Sequence, residues 1–535
     1  MTSLIKDAIS TMGQPESTKP RSMSASESTS ASSSMEINSI PLSMSFRDWW
    51  SSCSQLMRHS TSCSQMSEAV RKARFKNTVI EYDLFRAILS DDIYIEEPVE
   101  EKNAEEKGRQ PENEVQDEEP HTRNVPLYAE LLDIEIDEDV SIHELYLVNN
   151  TDPSVTETHL VIIHGYMAAL GYFVKNVEPL LKSQPGLRLH VIDLPGFGNS
   201  SRPTFPKEFL TEPKTKAEKI KQIVDIENWF IDKLECWRKK RGIKKFKLVG
   251  HSMGAYLSCC YLMKYNKASD KVVDEFIAVS PMGTESSYNS LLNNKKHQKN
   301  YHGDEIDPFR EIVDFDEEDV VTDELRSLWE SLGQPKFPKN YILEKIWKYN
   351  KSPFQILQNF GPFYSKILSY WSYKRFRNLK TNEDEAVDED VDTLVTNANI
   401  KRSYSESSAA SVKSNSSLDL ILKLHSYSYS IFNQYQGSGE IAITKFINHE
   451  ILARLPLCDR GLVEYLNETL VKSLWVYGDK DWMNQKGGLY IHDKLKEINP
   501  EISDFKIIED AGHHIYLDNP ESFNKTCIDF FHLCA

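Results

Sequence analysis

The 535-residue chain contains no apolar run long enough to cross a bilayer, for which about 20 consecutive apolar residues are needed. Any membrane contact is therefore expected to be peripheral. Cysteine is sparse and unpatterned: the eight residues form no CxxC pair and no metal-ligand spacing with histidine. Cys259 and Cys260 are adjacent on an expected helix, where neighbours rarely bridge. Buried free thiols in a reducing compartment follow, with no metal and no cofactor. Positive charge is also short. Lys and Arg number 63 against 81 Asp and Glu, a formal net charge of −18, which argues against nucleic acid as a general partner. The first residues lack the apolar core of a secretory signal, and Asp7 and Glu16 make them a poor transit peptide by composition.

Composition divides the chain. Residues 1–45 are rich in Ser, Thr and Met and read as disordered. A helical segment over 46–92 follows, with Glu68 to Leu89 as its helix and Arg71, Lys72, Arg74 and Lys76 on its polar side. The acidic stretch 93–122 reads as a linker. From 123 to 285 short β-branched runs alternate with helical periodicity: "THLVIIHG", "LRLHVIDLPGFG", "KFKLVGHSMG" and "KVVDEFIAVSP" are strands. The alternation stops over 286–465 and resumes over 466–535 with "SLWVYGDKDWM" and "DFKIIEDAGHH". Strand–helix alternation predicts an α/β fold, a mostly parallel doubly wound sheet covered on both faces. The interruption is an insertion, with an acidic, Ser-rich loop at 381–417.

The chemistry starts at Gly250-His251-Ser252-Met253-Gly254. A strand enters this G-x-S-x-G and a helix leaves it, the setting of a nucleophile elbow. A serine hydroxyl is a weak nucleophile and needs a base. The expected chain order is Ser, Asp, His. Asp481 in "GDKD" and His513 in "AGHH" each follow a strand, so the three side chains can meet at one edge of the sheet. Asp479 shares the turn of Asp481 and competes with it; His514 competes with His513, which the preceding Gly512 favours. The oxyanion donors expected are the backbone N–H groups of Met253, opening the helix, and Tyr166, in "HGYMAAL". His164 is expected to hydrogen-bond that loop's backbone.

These motifs, with "DLPGFGNSSRP" and "AGHHIYLDNPESFN", resemble the α/β-hydrolase fold. "KSPFQILQNFGPFYSKILSYWSYKRF", "YQGSGEIAITKF" and "FRDWW" narrow the resemblance to the subfamily of lipid-droplet hydrolase cofactors and N-acyl phospholipid lipases. Within it, the chain is similar to fungal cardiolipin deacylases and lysophosphatidic acid acyltransferases. The resemblance implies a serine lipid hydrolase that converts cardiolipin to lysocardiolipin and fatty acid. The alternatives it carries are an acyltransferase on the same site and a non-catalytic lipase cofactor, the last disfavoured by the retained Ser252. It also implies a mitochondrial location, peripheral on the inner membrane, with cytoplasm or lipid droplet as alternatives. The subfamily's H-x4-D motif spans His513 to Asp518; a capping or surface role is expected for Asp518, ahead of Asn519-Pro520.

The insertion is expected to act as a lid. It interleaves Trp347, Tyr349, Phe354, Phe360, Phe363, Tyr364, Tyr370, Trp371 and Tyr373 with Lys345, Lys348, Lys366, Lys374, Arg375 and Arg377. That mixture suits anionic lipid headgroups. A phospholipid substrate and peripheral membrane contact, through this lid and Trp49/Trp50, are the partners expected.

Overall fold

A computed structural model of the chain describes residues 46, 68–99, 125–138, 140–292, 321–333, 341–349, 351–376, 417–434 and 438–533. Trp49, Trp50, the Ser-rich start, most of the acidic linker and nearly all of the 381–417 loop lie outside these residues.

Among the described residues, nine strands form one sheet: β1 (Tyr94–Ile95), β2 (Leu127–Asp137), β3 (Val140–Asn149), β4 (Thr158–Ile163), β5 (Leu187–Ile192), β6 (Phe246–His251), β7 (Val273–Val279), β8 (Lys472–Gly478) and β9 (Ser503–Ile508). Their spatial order is β1-β2-β3-β5-β4-β6-β7-β8-β9. From β5 to β9 every pairing is parallel, whereas β2–β3 and β3–β5 are antiparallel. The central strands are rich in apolar and β-branched residues because both faces are covered; every residue of β5 is buried, Arg188 and His190 included. Periodicity over 217–239 finds α2 (Lys216–Lys240), which opens on a Thr215/Glu218 capping box and closes on Arg238, Lys239 and Lys240. Both ends suit the helix dipole and its orphan backbone groups. Ile220, Ile223, Phe230, Ile231 and Leu234 form its buried stripe. Between β4 and β5, where the alternation calls for a helix, the chain forms a 3-10 turn at Leu170–Phe173 and a short helix at Val177–Lys182.

Before the sheet, α1 (Glu68–Ile88) appears where expected. Arg74, read as polar-face, instead reaches into the core edge, ion-paired to Asp133 at 2.9 Å and bonded to the Ser141 hydroxyl. Beyond β6 comes α3 (Met253–Tyr265), almost wholly buried.

Within the insertion, residues 353–376 and 417–434 make a compact unit of their own. In it, α4 (Tyr364–Phe376) packs on α5 (Ser417–Phe432). The Tyr364 hydroxyl donates to the Phe432 carbonyl at 2.8 Å, and the Phe354 ring lies 4.8 Å from that of Phe432. Tyr364 and Phe354 are therefore core of this unit, while Phe360 and Phe363 are exposed. In the sheet-bearing unit, Trp347 is buried and donates to the Ile447 carbonyl, whereas Tyr341 and Tyr349 are exposed. The C-terminal part adds α6 (Gln485–Ile498) and α7 (Pro520–Phe530).

The chain runs from β4 outward to β5, then crosses back to β6 on the other side of β4. That reversal is a switch point, where loops diverge and leave a crevice at the carboxyl ends of the strands.

Candidate active site

Ser252 follows the last residue of β6 and precedes the first of α3. Its backbone stands at φ 54° and ψ −115°, a region that non-glycine residues enter at a cost of order 1–3 kcal/mol. The turn is possible because its neighbours lack side chains. A Cβ on Gly254 would lie 2.3 Å from the His164 carbonyl oxygen, and one on Gly165 would lie 2.8 Å from the Ser252 Cβ. The helix start, the loop after β4 and the serine are thus pressed together.

The three residues expected to form the relay converge. The Ser252 hydroxyl is 3.0 Å from His513 Nε2, and His513 Nδ1 is 3.1 Å from Asp481 Oδ1. The carboxylate can only accept, so Nδ1 carries the proton and Nε2 is free to take one from the serine. Burial pushes the Asp481 carboxyl up, but the His513 ring, the adjacent Ser280 hydroxyl and the Met483 N–H together hold it below the ordinary range. The acid thus stays ionised beneath the base. Asp479 does not reach the imidazole. It is exposed and accepts the Ala511 N–H at 3.0 Å, anchoring the loop that carries His513. The His514 ring stands edge-on to that of His513, outside the relay.

His164 shapes the loop expected to supply an oxyanion donor. Its Nε2 accepts the Leu194 N–H at 3.0 Å, so Nδ1 carries the proton and donates to the Gly165 carbonyl at 2.7 Å. Burial holds this imidazole neutral, with its pKa pushed down to about 4. In a trans peptide the C=O and the following N–H point oppositely. Pinning the Gly165 carbonyl to His164 therefore turns the Tyr166 N–H away from that ring. Met253 is the first residue of α3, so its N–H has no intrahelical acceptor. The Tyr166 side chain is half-buried, its hydroxyl enclosed beside Ser352 and Glu440.

Asp518 does not cap the last helix. Asn519 does so, accepting the Ser522 N–H at 3.1 Å, while the Asp518 carboxylate accepts the Gly512 N–H at 2.8 Å. It steadies the peptide just before the base. Two neighbours of the relay escaped sequence reasoning. Ser280, directly after β7, holds φ 44° and lies beside Asp481. Trp482 lays its ring 4.3 Å from that of His513. Ser280 could have been sought as the residue closing a strand on the active edge; nothing in the sequence singles out Trp482.

A family model described as the alpha/beta hydrolase fold matches residues 158–520. The chain belongs to this family. Among relatives, protein ECM18 of Saccharomyces cerevisiae is 28% identical over 408 residues, covering 71% of this α/β-hydrolase chain and 72% of that protein. A probable 1-acylglycerol-3-phosphate O-acyltransferase of Oryza sativa subsp. japonica is 24% identical, covering 70% of this chain and 66% of that one. A (lyso)-N-acylphosphatidylethanolamine lipase of Bos taurus is 24% identical, covering 69% and 77%. These relatives agree with the subfamily read from the insertion motifs.

Proposed function

We propose that the protein deacylates a glycerophospholipid, cardiolipin to lysocardiolipin and fatty acid, through an acyl-enzyme on Ser252. The observation that carries the reading is the continuous hydrogen-bond chain from Ser252 through His513 to Asp481. His513 takes the serine proton as Oγ attacks the ester carbonyl, and Asp481 stabilises the imidazolium without itself taking the proton. The Tyr166 and Met253 N–H groups receive the oxyanion. His513 then hands its proton to the departing lysolipid oxygen. Water, deprotonated by the same imidazole, releases the fatty acid. The cardiolipin headgroup and a peripheral site on the mitochondrial inner membrane rest on the resemblance of the insertion and base-loop motifs. Membrane contact draws on exposed aromatic and basic residues: Tyr349 with Lys345 and Lys348 in the sheet-bearing unit, and Phe363 with Lys366 in the other.

The names of the rice relative and of a yeast 1-acylglycerol-3-phosphate O-acyltransferase, 25% identical, favour a second reading. In it a lysophospholipid hydroxyl replaces water in resolving the acyl-enzyme. Purified protein given cardiolipin with labelled acyl chains, with and without lysophosphatidic acid, separates the two. Labelled free fatty acid supports the hydrolase, and labelled phosphatidic acid supports the transferase. No label released, with Ser252→Ala indistinguishable from wild type in cellular lipid profile, would leave only a non-catalytic lipase partner.

A further inference from the structure

His251, the residue just before the nucleophile, takes no part in the proton relay, yet it touches three of the segments that build the site. Its Nε2 is 2.8 Å from the His513 carbonyl oxygen, a buried contact across 262 residues of chain. A carbonyl only accepts, so Nε2 carries the proton and Nδ1 is left as an acceptor. The Tyr516 hydroxyl faces that nitrogen at 3.4 Å. The ring centroids of His251 and His513 are 4.8 Å apart, and Tyr516 meets His251 edge-on at 5.0 Å. On its remaining side His251 Nδ1 lies 2.7 Å from where a Cβ on Gly165 would stand, so the imidazole also abuts the oxyanion loop. The side chain is wholly inaccessible.

We infer that His251 is a positioning residue that holds the base His513 against Ser252 by its main chain. This rests on the serine-nucleophile reading. The loop from Glu509 to His514 carries the base without regular structure of its own. It is held at successive residues: Ala511 by the Lys480 N–H and the Asp479 carboxylate, the Gly512 N–H by Asp518, and the base's own carbonyl by His251. The peptides on either side of the Gly512–His513 pair are thus held, which restrains the backbone from which the His513 imidazole is aimed. Because His251 ends β6 and is bonded directly to Ser252, any shift of the strand moves the nucleophile and the clamp together. The 3.0 Å serine–imidazole distance is thereby kept, though the two residues lie on different strands' loops.

The test uses the full-length chain, a fluorophosphonate that labels the serine, and a p-nitrophenyl ester. His251→Leu fills the space without offering a donor; His251→Gln returns an N–H that can reach the carbonyl. Rates are expressed per folded molecule. The clamp predicts that Leu slows both labelling and kcat on the order of 10²-fold, the effect of a displacement of about 1 Å, with KM changed less than about 3-fold. Gln should recover most of that loss. Leu matching wild type, or Gln no better than Leu, overturns the inference, as does a Leu variant that fails to fold and a folded Gln variant with wild-type rates lost. Wild-type protein that takes up no label would instead overturn the serine-enzyme reading itself.

Discussion

Ser252 occupies a backbone conformation that glycine would adopt freely, and its strain is the cost of lifting the hydroxyl off the sheet edge. Replacing it with glycine should therefore stabilise the fold while removing the nucleophile. Relief of order 1–3 kcal/mol is offset by about 0.5–1 kcal/mol of added chain entropy in the unfolded state. Ser252→Gly is expected to gain about 1 kcal/mol in urea unfolding and to show no serine labelling. Asp481 and Asp479 share one turn but face different partners, and their substitutions should separate accordingly. Asp481→Asn leaves the imidazole without an anion and in the wrong tautomer, so kcat should fall by roughly 10⁴-fold. Asp479→Asn weakens only the hold on the Ala511 N–H and should lower kcat far less. Ester turnover by the two variants, side by side, decides whether the carboxylate in contact with His513 is the acid of the relay.

At the scale of elements, helix α1 illustrates where sequence reading reaches and where it stops. Its existence and limits were legible from periodicity, as were the strands β4 to β9, whereas β1 falls in the stretch read as a linker. Its docking was not. A single acid, Glu81, points inward and is fully buried, with Oε2 2.5 Å from His143 Nε2 and 3.1 Å from the Asn199 amide. His143 in turn faces Asp133, itself paired with Arg74. One polar residue on a largely polar helix carries no periodic signal, so only the partner's position reveals it. Trp482 likewise is revealed only by its partner's position. Burial opposes a charged His143, but Glu81 and Asp133 prevail and raise its pKa well above the ordinary value. The stability it contributes is thus complete below about pH 6.5 and is lost as pH rises through the folded-state value. Glu81→Ala should cost about 3–5 kcal/mol near neutrality, as for a buried pair that loses one member. The gap between wild type and variant, followed by urea unfolding, should narrow as the solution is made alkaline. A gap that widens would mean that His143 is neutral in the fold.

At the scale of the whole molecule, the question is how two stretches of the sheet-bearing core, interrupted by a long insertion, close on each other. The parallel alternation on either side announced one sheet, and β7 pairs with β8 across the interruption as that requires. The order β5-β4-β6 and the buried polar joint beside it were not readable, because both depend on crossovers rather than on local pattern. That joint is Arg460, on the chain returning from the insertion. Its two terminal nitrogens each lie 2.8 Å from an oxygen of Glu227 on α2, and Nη1 is 3.2 Å from the Tyr256 hydroxyl on α3. Glu227 and Arg460 are both almost fully buried. The planar fork of arginine fits this carboxylate at two points, which an ammonium cannot do. Arg460→Ala strands a buried anion between the helix that follows the nucleophile and the helix before it. It should lower stability by about 3–5 kcal/mol, and Arg460→Lys should restore only part of that. The joint lies behind the site, one turn along α3 from Ser252. Serine labelling per folded molecule should therefore change little in either variant, whereas the denaturation midpoint drops. A lysine variant as stable as wild type would show that charge alone, without the paired geometry, holds the two stretches together.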